Sequence, residues 1–234
     1  MPTSVMLRHP AVVLVVLLII LDGLSFVIPA KSEPSQNFDP IALDGSTVGH
    51  CSGTISSCSK SLTTTLKGDV ILLWAWPNTG SPTVSTVTDT AGLTWTARSQ
   101  AGSPPSNWII YYAISSGKLT GDSIKVTFTA SVSTTYVMAV WGVSGANTVS
   151  PFDTTSAQFN SGTGTTATAT ITTTNANDFV YAIGENQQQN AMTVCCSYNL
   201  VGSDNGNGWN EVDYKILSAS GTQTVTYSLA SSNW

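Results

Sequence analysis

Charged residues are scarce in this chain. Among its 234 residues are only 8 Lys and Arg against 13 Asp and Glu, giving a formal net charge of −5. Binding to nucleic acid requires a basic surface that neutralises phosphates, and no cluster of Lys or Arg provides one here. We therefore expect no nucleic-acid partner.

The usual signatures of catalysis and cofactor binding are also missing. The chain has 2 histidines, His9 and His50, and no Gly-x-Ser-x-Gly elbow that would mark a serine hydrolase. No Gly-x-Gly-x-x-Gly pattern opens a helix, and the cysteines lack the paired spacing of a zinc site. The sequence predicts no cofactor and no metal.

Helical periodicity is absent, and strand-forming residues take its place. From Ser61 onward Thr, Val, Ile, Tyr and Trp dominate, with Gly, Asn, Asp and Ser clusters about every ten residues. Asp69–Trp76 and Tyr136–Ser144 are apolar on both faces, whereas Ser123–Thr129 and Gln223–Ser228 alternate. We predict an all-β fold, an antiparallel β-sandwich of the Ig-like or jelly-roll type.

The amino terminus resembles a leader segment. Arg8 and His9 precede an apolar run from Ala11 to Leu21, and Pro29-Ala30 offers a cleavage site. We predict a signal peptide over 1–30, with an uncleaved membrane anchor as the alternative, and an extended leader over 31–50. The protein is then secreted or displayed at the cell surface, with no membrane contact after cleavage.

Four cysteines in an exported chain are expected to form disulfides, because the compartment is oxidising. Cys51 and Cys58 flank a short segment that could close as a local loop. Cys195 and Cys196 are neighbours, and each could reach one of the first pair. The connectivity stays open at this point.

An internal duplication runs through residues 51–234, with halves at about 58–144 and 165–234. Gly68-Asp69-Val70-Ile71 is echoed by Asn177-Asp178-Phe179-Val180, and Val126-Thr127-Phe128 by Val225-Thr226-Tyr227. In the first half a turn and the apolar strand Tyr136–Ser144 follow. In the second half Ser231–Trp234 supplies the turn, and the counterpart of that last strand is missing.

Three explanations of this difference are open. The chain is a fragment, a strand from elsewhere fills the gap, or the repeat is imperfect. The donor considered for strand addition is Lys31–Gly49 of another copy. The segment from Gly145 to Thr165 carries Pro151-Phe152-Asp153, which favours a single wide sandwich over two small ones.

Several motifs resemble a widespread, largely uncharacterised class of exported β-sandwich domains in bacterial and archaeal surface proteins. They are Asp69–Leu73, Val87–Trp95, and Trp141–Asn147 leading into Ser150–Asp153. The resemblance covers most of Ser61–Trp234. It implies a fold and a location outside the cell rather than an activity.

A candidate ligand site lies in the second half. Glu211 and Asp213 are two apart on one predicted strand face, beside Trp209, as a sugar site would require. Because Val212, Tyr214 and Ile216 alternate onto the other face, we predict that the carboxylates face solvent. Trp108 holds a similar place in the first half, so Trp108 and Trp209 are the candidate sugar-stacking residues.

We therefore expect a non-enzymatic extracellular or cell-surface protein of structural or adhesion type, which assembles by strand addition. A carbohydrate-binding module is the alternative, and a sandwich-type glycoside hydrolase is the third hypothesis. The partners expected are glycans or copies of the chain itself.

Overall fold

The computed structural model describes residues 40–77, 83–98, 109–132, 135–153, 157–206 and 208–234, together with the backbone of residues 3–7. It confirms the all-β prediction. The strands are β1 Thr3–Leu7, β2 Ala42–Cys51, β3 Ile55–Leu62, β4 Val70–Pro77, β5 Val84–Thr88, β6 Thr96–Arg98, β7 Ile109–Ile114, β8 Asp122–Val132, β9 Tyr136–Ser144, β10 Gln158–Phe159, β11 Thr163–Thr173, β12 Phe179–Asn186, β13 Thr193–Val194, β14 Asn199–Asp204, β15 Trp209–Ile216 and β16 Gly221–Asn233.

The strands form four sheets, and every strand pair within them is antiparallel. The first half contributes a five-stranded sheet in the order β2-β9-β4-β7-β6 and a three-stranded sheet β3-β8-β5. The second half contributes β11-β16-β13 and most of β10-β1-β12-β15-β14, in which β1 comes from the amino terminus. Each half thus has one larger and one smaller sheet, as expected of a duplicated unit.

Three apolar clusters join these sheets into four layers. The first core, with Ile71, Leu73 and Val126, lies between the two sheets of the first half. The second core, with Val180 and Tyr227, lies between the two sheets of the second half. A central layer packs the two five-stranded sheets against each other through residues such as Leu72, Trp74, Trp141, Phe179 and Tyr181. The two halves are therefore two sandwiches stacked through a shared apolar layer.

This stacking explains the strands that are apolar on both faces. In β4, Ile71 faces the first core and Leu72 faces the central layer. All nine residues of β9 are buried, and all eight of β12. The predicted central strands Asp69–Trp76 and Tyr136–Ser144 are thus confirmed, because each lies in a sheet covered on both sides.

Equivalent corners precede β4 and β12. Thr65 donates its backbone N–H and its hydroxyl to Asp44, at 3.0 and 2.7 Å. Thr174 donates the same two groups to Asp153, at 2.7 and 2.6 Å. The same sequence distance separates the two aspartates and the two threonines, so the duplication includes this hydrogen-bonded corner.

The turn predicted over Ser231–Trp234 is wrong. Strand β16 continues to Asn233, and Trp234 exchanges two backbone hydrogen bonds with Gly162, at 2.9 and 2.8 Å. A strand continues here because Gly162 leaves room for the Trp234 ring, which a Cβ at that glycine would meet at 2.8 Å.

Both disulfides are local. Cys51–Cys58 joins the end of β2 to β3, and so links the two sheets of the first sandwich covalently. Cys195–Cys196 is a disulfide between neighbouring residues in the turn after β13. The connectivity left open by the sequence is therefore resolved without a link between the halves.

The amino-terminal strand β1 lies next to β12 in the second sandwich. Its five residues pair antiparallel with Phe179–Ile183. The strand lies inside the segment predicted as a signal peptide, and cleavage at Ala30 remains a prediction. The described residues contain no helix that could cross a membrane.

The prediction that Lys31–Gly49 is a donor strand for another copy is wrong for the second part of this segment. Residues Ala42–Gly49 belong to β2, which pairs with β9 of the same chain. That register lets Ile41 and the β2 backbone close the edge of the first sandwich, so this stretch is not free to enter another copy. Residues 31–39 lie outside the described part of the chain.

Candidate functional site

Glu211 and Asp213 lie on one face of β15, as predicted, but the prediction that this face is exposed is wrong. Asp213 has no accessible surface and Glu211 is 6 % exposed. Their face of β15 is turned toward β16 and the second core, while Val212 packs into the central layer. The opposite face is also covered, because the second five-stranded sheet lies between two layers. Ile216, predicted to be buried, is 41 % exposed.

The Asp213 carboxyl group is held by a tyrosine from the facing sheet. The Tyr227 hydroxyl donates a hydrogen bond of 2.7 Å to Asp213 Oδ2. Burial raises the pKa of Asp213 to about 8, and the neighbouring Glu211 adds to this rise. Asp213 therefore carries a proton at neutral pH. Burial also raises the pKa of Tyr198 to about 12, with a contribution from Asp213.

Aromatic side chains enclose the pair. The Trp209 indole N–H donates to Glu211 Oε2 at 2.8 Å, and the half-buried Trp209 packs against the second core. Gly184, opposite Glu211 in the β12–β15 ladder, leaves the space that Tyr227 and Met192 fill. The polar edge of Trp209 is thus used inside the protein.

The chemistry that this cluster can perform is limited by its enclosure. A protonated carboxyl beside a second carboxylate is the composition of a glycosidase pair. Such a pair acts across a cleft that admits a sugar ring, whereas Asp213 and Glu211 lie side by side on one strand between two packed sheets. The arrangement fits a hydrogen-bonded element of the core.

The remaining candidate, Trp108, is outside the described residues. The polar loop after β12 folds back on itself, since Asn186 Nδ2 donates to the Asn190 carbonyl at 3.1 Å and Gln188 N–H donates to Asn186 Oδ1 at 2.9 Å. Glu185 lies in β12 just before this loop and is 2 % exposed, and burial raises its pKa to about 7.

One polar contact between the sandwiches has no signal in the sequence. His50 Nδ1 lies 2.9 Å from the Asp204 carboxylate, which joins β2 to β14. The Lys60 ammonium donates to the His50 carbonyl at 3.0 Å. His50 and Asp204 are 154 positions apart in the sequence, so only the stacking of the two halves brings them together.

Comparison with known proteins gives no relative. No family model, no curated protein and no solved structure matches the chain. The function has to be argued from the chain's own residues.

Proposed function

We propose that this protein is a non-enzymatic structural or adhesion-type component of the cell surface or extracellular space. The observation that carries the proposal is the enclosure of Glu211 and Asp213, the pair best suited to chemistry, within the second sandwich. The hydrogen bond from Tyr227 to Asp213 links β16 to β15, and the one from Trp209 to Glu211 lies within β15. Two disulfides support export, because disulfides persist in oxidising compartments.

The exposed face of the outer sheet in the second half supports a contact role. Threonines of β11 and β16 pair across the strands with hydroxyl oxygens 3.0 to 3.4 Å apart, as Thr168–Thr226, Thr170–Thr224 and Thr172–Thr222. This face carries hydroxyl and methyl groups and no charge. Such a surface suits contacts that do not depend on ionic strength.

A glycan array and a polysaccharide hydrolysis panel test the proposal. The expected result is neither binding nor hydrolysis by the full chain. Glycan binding that is lost in Trp108→Ala or Trp209→Ala would establish the carbohydrate-binding alternative. Hydrolysis that is lost in Glu211→Gln, with an unchanged circular dichroism spectrum, would establish the glycosidase.

A further inference from the structure

The two five-stranded sheets can be matched strand by strand. Val70 of β4 is opposite Ile114 of β7, and Phe179 of β12 is opposite Ile216 of β15. The Asp69 carbonyl accepts from Ser115 N–H, and the Asp178 carbonyl from Leu217 N–H, each at 2.9 Å. Strand β12 therefore corresponds to β4, and β15 to β7.

The match shows which strand of the second sandwich holds the place that β9 has in the first. In the first sandwich β9 pairs with β4 from Val143 opposite Val70 to Tyr136 opposite Pro77. In the second sandwich β1 holds this place, from Leu7 opposite Phe179 to Thr3 opposite Ile183. Strand β1 runs in the same direction as β9 and covers five positions of β12. Gly184–Asn186 of β12 lie beyond the five positions that β1 covers and pair with β15.

The residues around the position beside β12 favour an apolar strand there. On β12, Phe179, Tyr181 and Ile183 face the central layer, whereas Val180 and Ala182 face the second core. A strand added beside β12 would present alternate side chains to these two apolar environments. Strand β9 meets the same requirement, with Trp141 in the central layer and Val140 in the first core.

We propose that the flank of β12 is a strand-acceptor site for an apolar β-strand of about nine residues from a partner polypeptide, added antiparallel to β12 in the direction of β9. Strand β1 occupies part of the site and is replaced by the partner strand. Removal of the predicted signal peptide would empty the site and expose the β12 ladder, which favours capture of a strand. This inference rests on the proposed structural function and supplies its mode of assembly.

The test uses a synthetic peptide with the sequence of Tyr136–Ser144, the strand that fills the equivalent place in the first sandwich. It is titrated into the full chain and into a variant lacking Thr3–Leu7. We expect at least tenfold tighter binding to the variant, because β1 competes in the full chain, and a raised melting temperature on binding. Equal binding to both proteins, or no binding to a folded variant, would overturn the proposal.

A peptide with proline at the positions of Val140 and Trp141 is the control. Successive residues of a strand direct their N–H groups to opposite flanks, so one of the two prolines removes a ladder bond in either register. This peptide should bind at least tenfold more weakly. If it binds as well as the parent, the contact is not a β-ladder and the proposal fails.

If the variant lacking Thr3–Leu7 does not fold, a second variant tests the proposal, in which the missing strand is fused to the chain's carboxyl terminus. Gln187 N–H donates to the Asn233 carbonyl at 3.2 Å, so the end of β16 lies beside the end of β12. In this test the sequence Tyr136–Ser144 is appended after Trp234 of the variant lacking Thr3–Leu7, through a short Gly-Ser turn. The fused protein should fold as a monomer and have the circular dichroism spectrum of the full chain. Failure to restore folding would count against the site. Neither readout involves glycans, so the outcome is independent of the test of the proposed function.

Discussion

Asp213 makes the stability of the protein depend on pH. Its pKa is about 8 in the folded chain because of burial and the neighbouring Glu211, against about 4 for an exposed aspartate. Between these values the unfolded chain has released a proton that the folded chain keeps. The free energy of unfolding should therefore fall as pH rises from about 4 to 8 and level off above.

Urea unfolding measured from pH 5 to pH 9 checks this expectation. Glu185 and Asp69, with pKa values raised to about 7 and about 6 chiefly by burial, add to the fall at lower pH. Asp213→Asn should flatten the curve between pH 7 and 8. Glu33→Gln, which lies outside the described residues, is the control for removing one negative charge. An unchanged slope in Asp213→Asn would show that Asp213 is already ionised at neutral pH.

Gly184 is required by its neighbours rather than by its backbone conformation. A Cβ at this position would lie 2.8 Å from Met192 Cε and 3.0 Å from Tyr227 Cζ. Gly184→Ala should lower the free energy of unfolding by about 1–3 kcal/mol through overpacking. Gly117→Ala is the matched control, because no atom lies within 4 Å of a Cβ there. Denaturant unfolding of both variants tests the contact, and a loss of similar size in the control would refute it.

At the scale of single residues, the sequence predicts which side chains share a face of a strand better than it predicts whether that face is exposed to solvent. The alternation of β15 places Glu211 and Asp213 on one face, which the structure bears out. Their burial depends on a second sheet that contributes Tyr227, and no periodicity within β15 reveals that sheet. The alternation within β15 therefore predicts a solvent-exposed face for these polar residues.

At the scale of elements, the aspartate corners before β4 and β12 should contribute similarly to the two sandwiches. The carboxylate of Asp44 accepts from Thr65 and from Leu66 N–H, at distances of 2.7 to 3.0 Å. Burial raises the pKa of Asp44, but these donors outweigh burial and the net pKa is lowered. Asp44→Ala should lower the free energy of unfolding by about 1–3 kcal/mol, because the donors of Thr65 and Leu66 lose a charged acceptor.

Asp153→Ala removes the acceptor of Thr174 in the second corner and should cost a similar amount. Thermal unfolding of both aspartate variants measures the two losses of stability. Thr65→Val is the control, because it keeps the backbone donors of the first corner, and it should lower the stability less than Asp44→Ala does. A loss confined to one of the two aspartate variants would show that the corners are not equivalent.

The bounds of a strand can be predicted from the sequence where a run of apolar residues is bordered by turn residues. Strand β9 begins and ends as predicted, because its residues are apolar on both faces and turn residues flank it. The place of β1 was not predictable, since Thr3–Leu7 lies in a segment with the pattern of a leader. In the structure this strand pairs with β12 in the place that β9 has beside β4.

At the scale of the molecule, the sequence indicated two halves but not how they stack. Continuous apolar strands fit one wide sandwich and two stacked sandwiches equally well, because both arrangements cover the two faces of β4 and β9. The structure places large aromatic residues from both halves in the central layer. Trp141 and Tyr181 meet there edge to face, with ring centroids 5.1 Å apart.

This aromatic pair should couple the two sandwiches energetically. A double-mutant cycle with Trp141→Leu and Tyr181→Leu is expected to give a coupling energy of about 0.5–1.5 kcal/mol, as for other edge-to-face pairs. Phe179 and Tyr214, stacked at 4.8 Å within the second sandwich, provide the control cycle. Trp141→Leu should leave the Phe179–Tyr214 coupling energy unchanged if the sheets of each half stay intact in this variant. Measured by denaturant unfolding, additive effects of the Trp141 and Tyr181 substitutions would mean that the central layer does not hold the halves together through this contact.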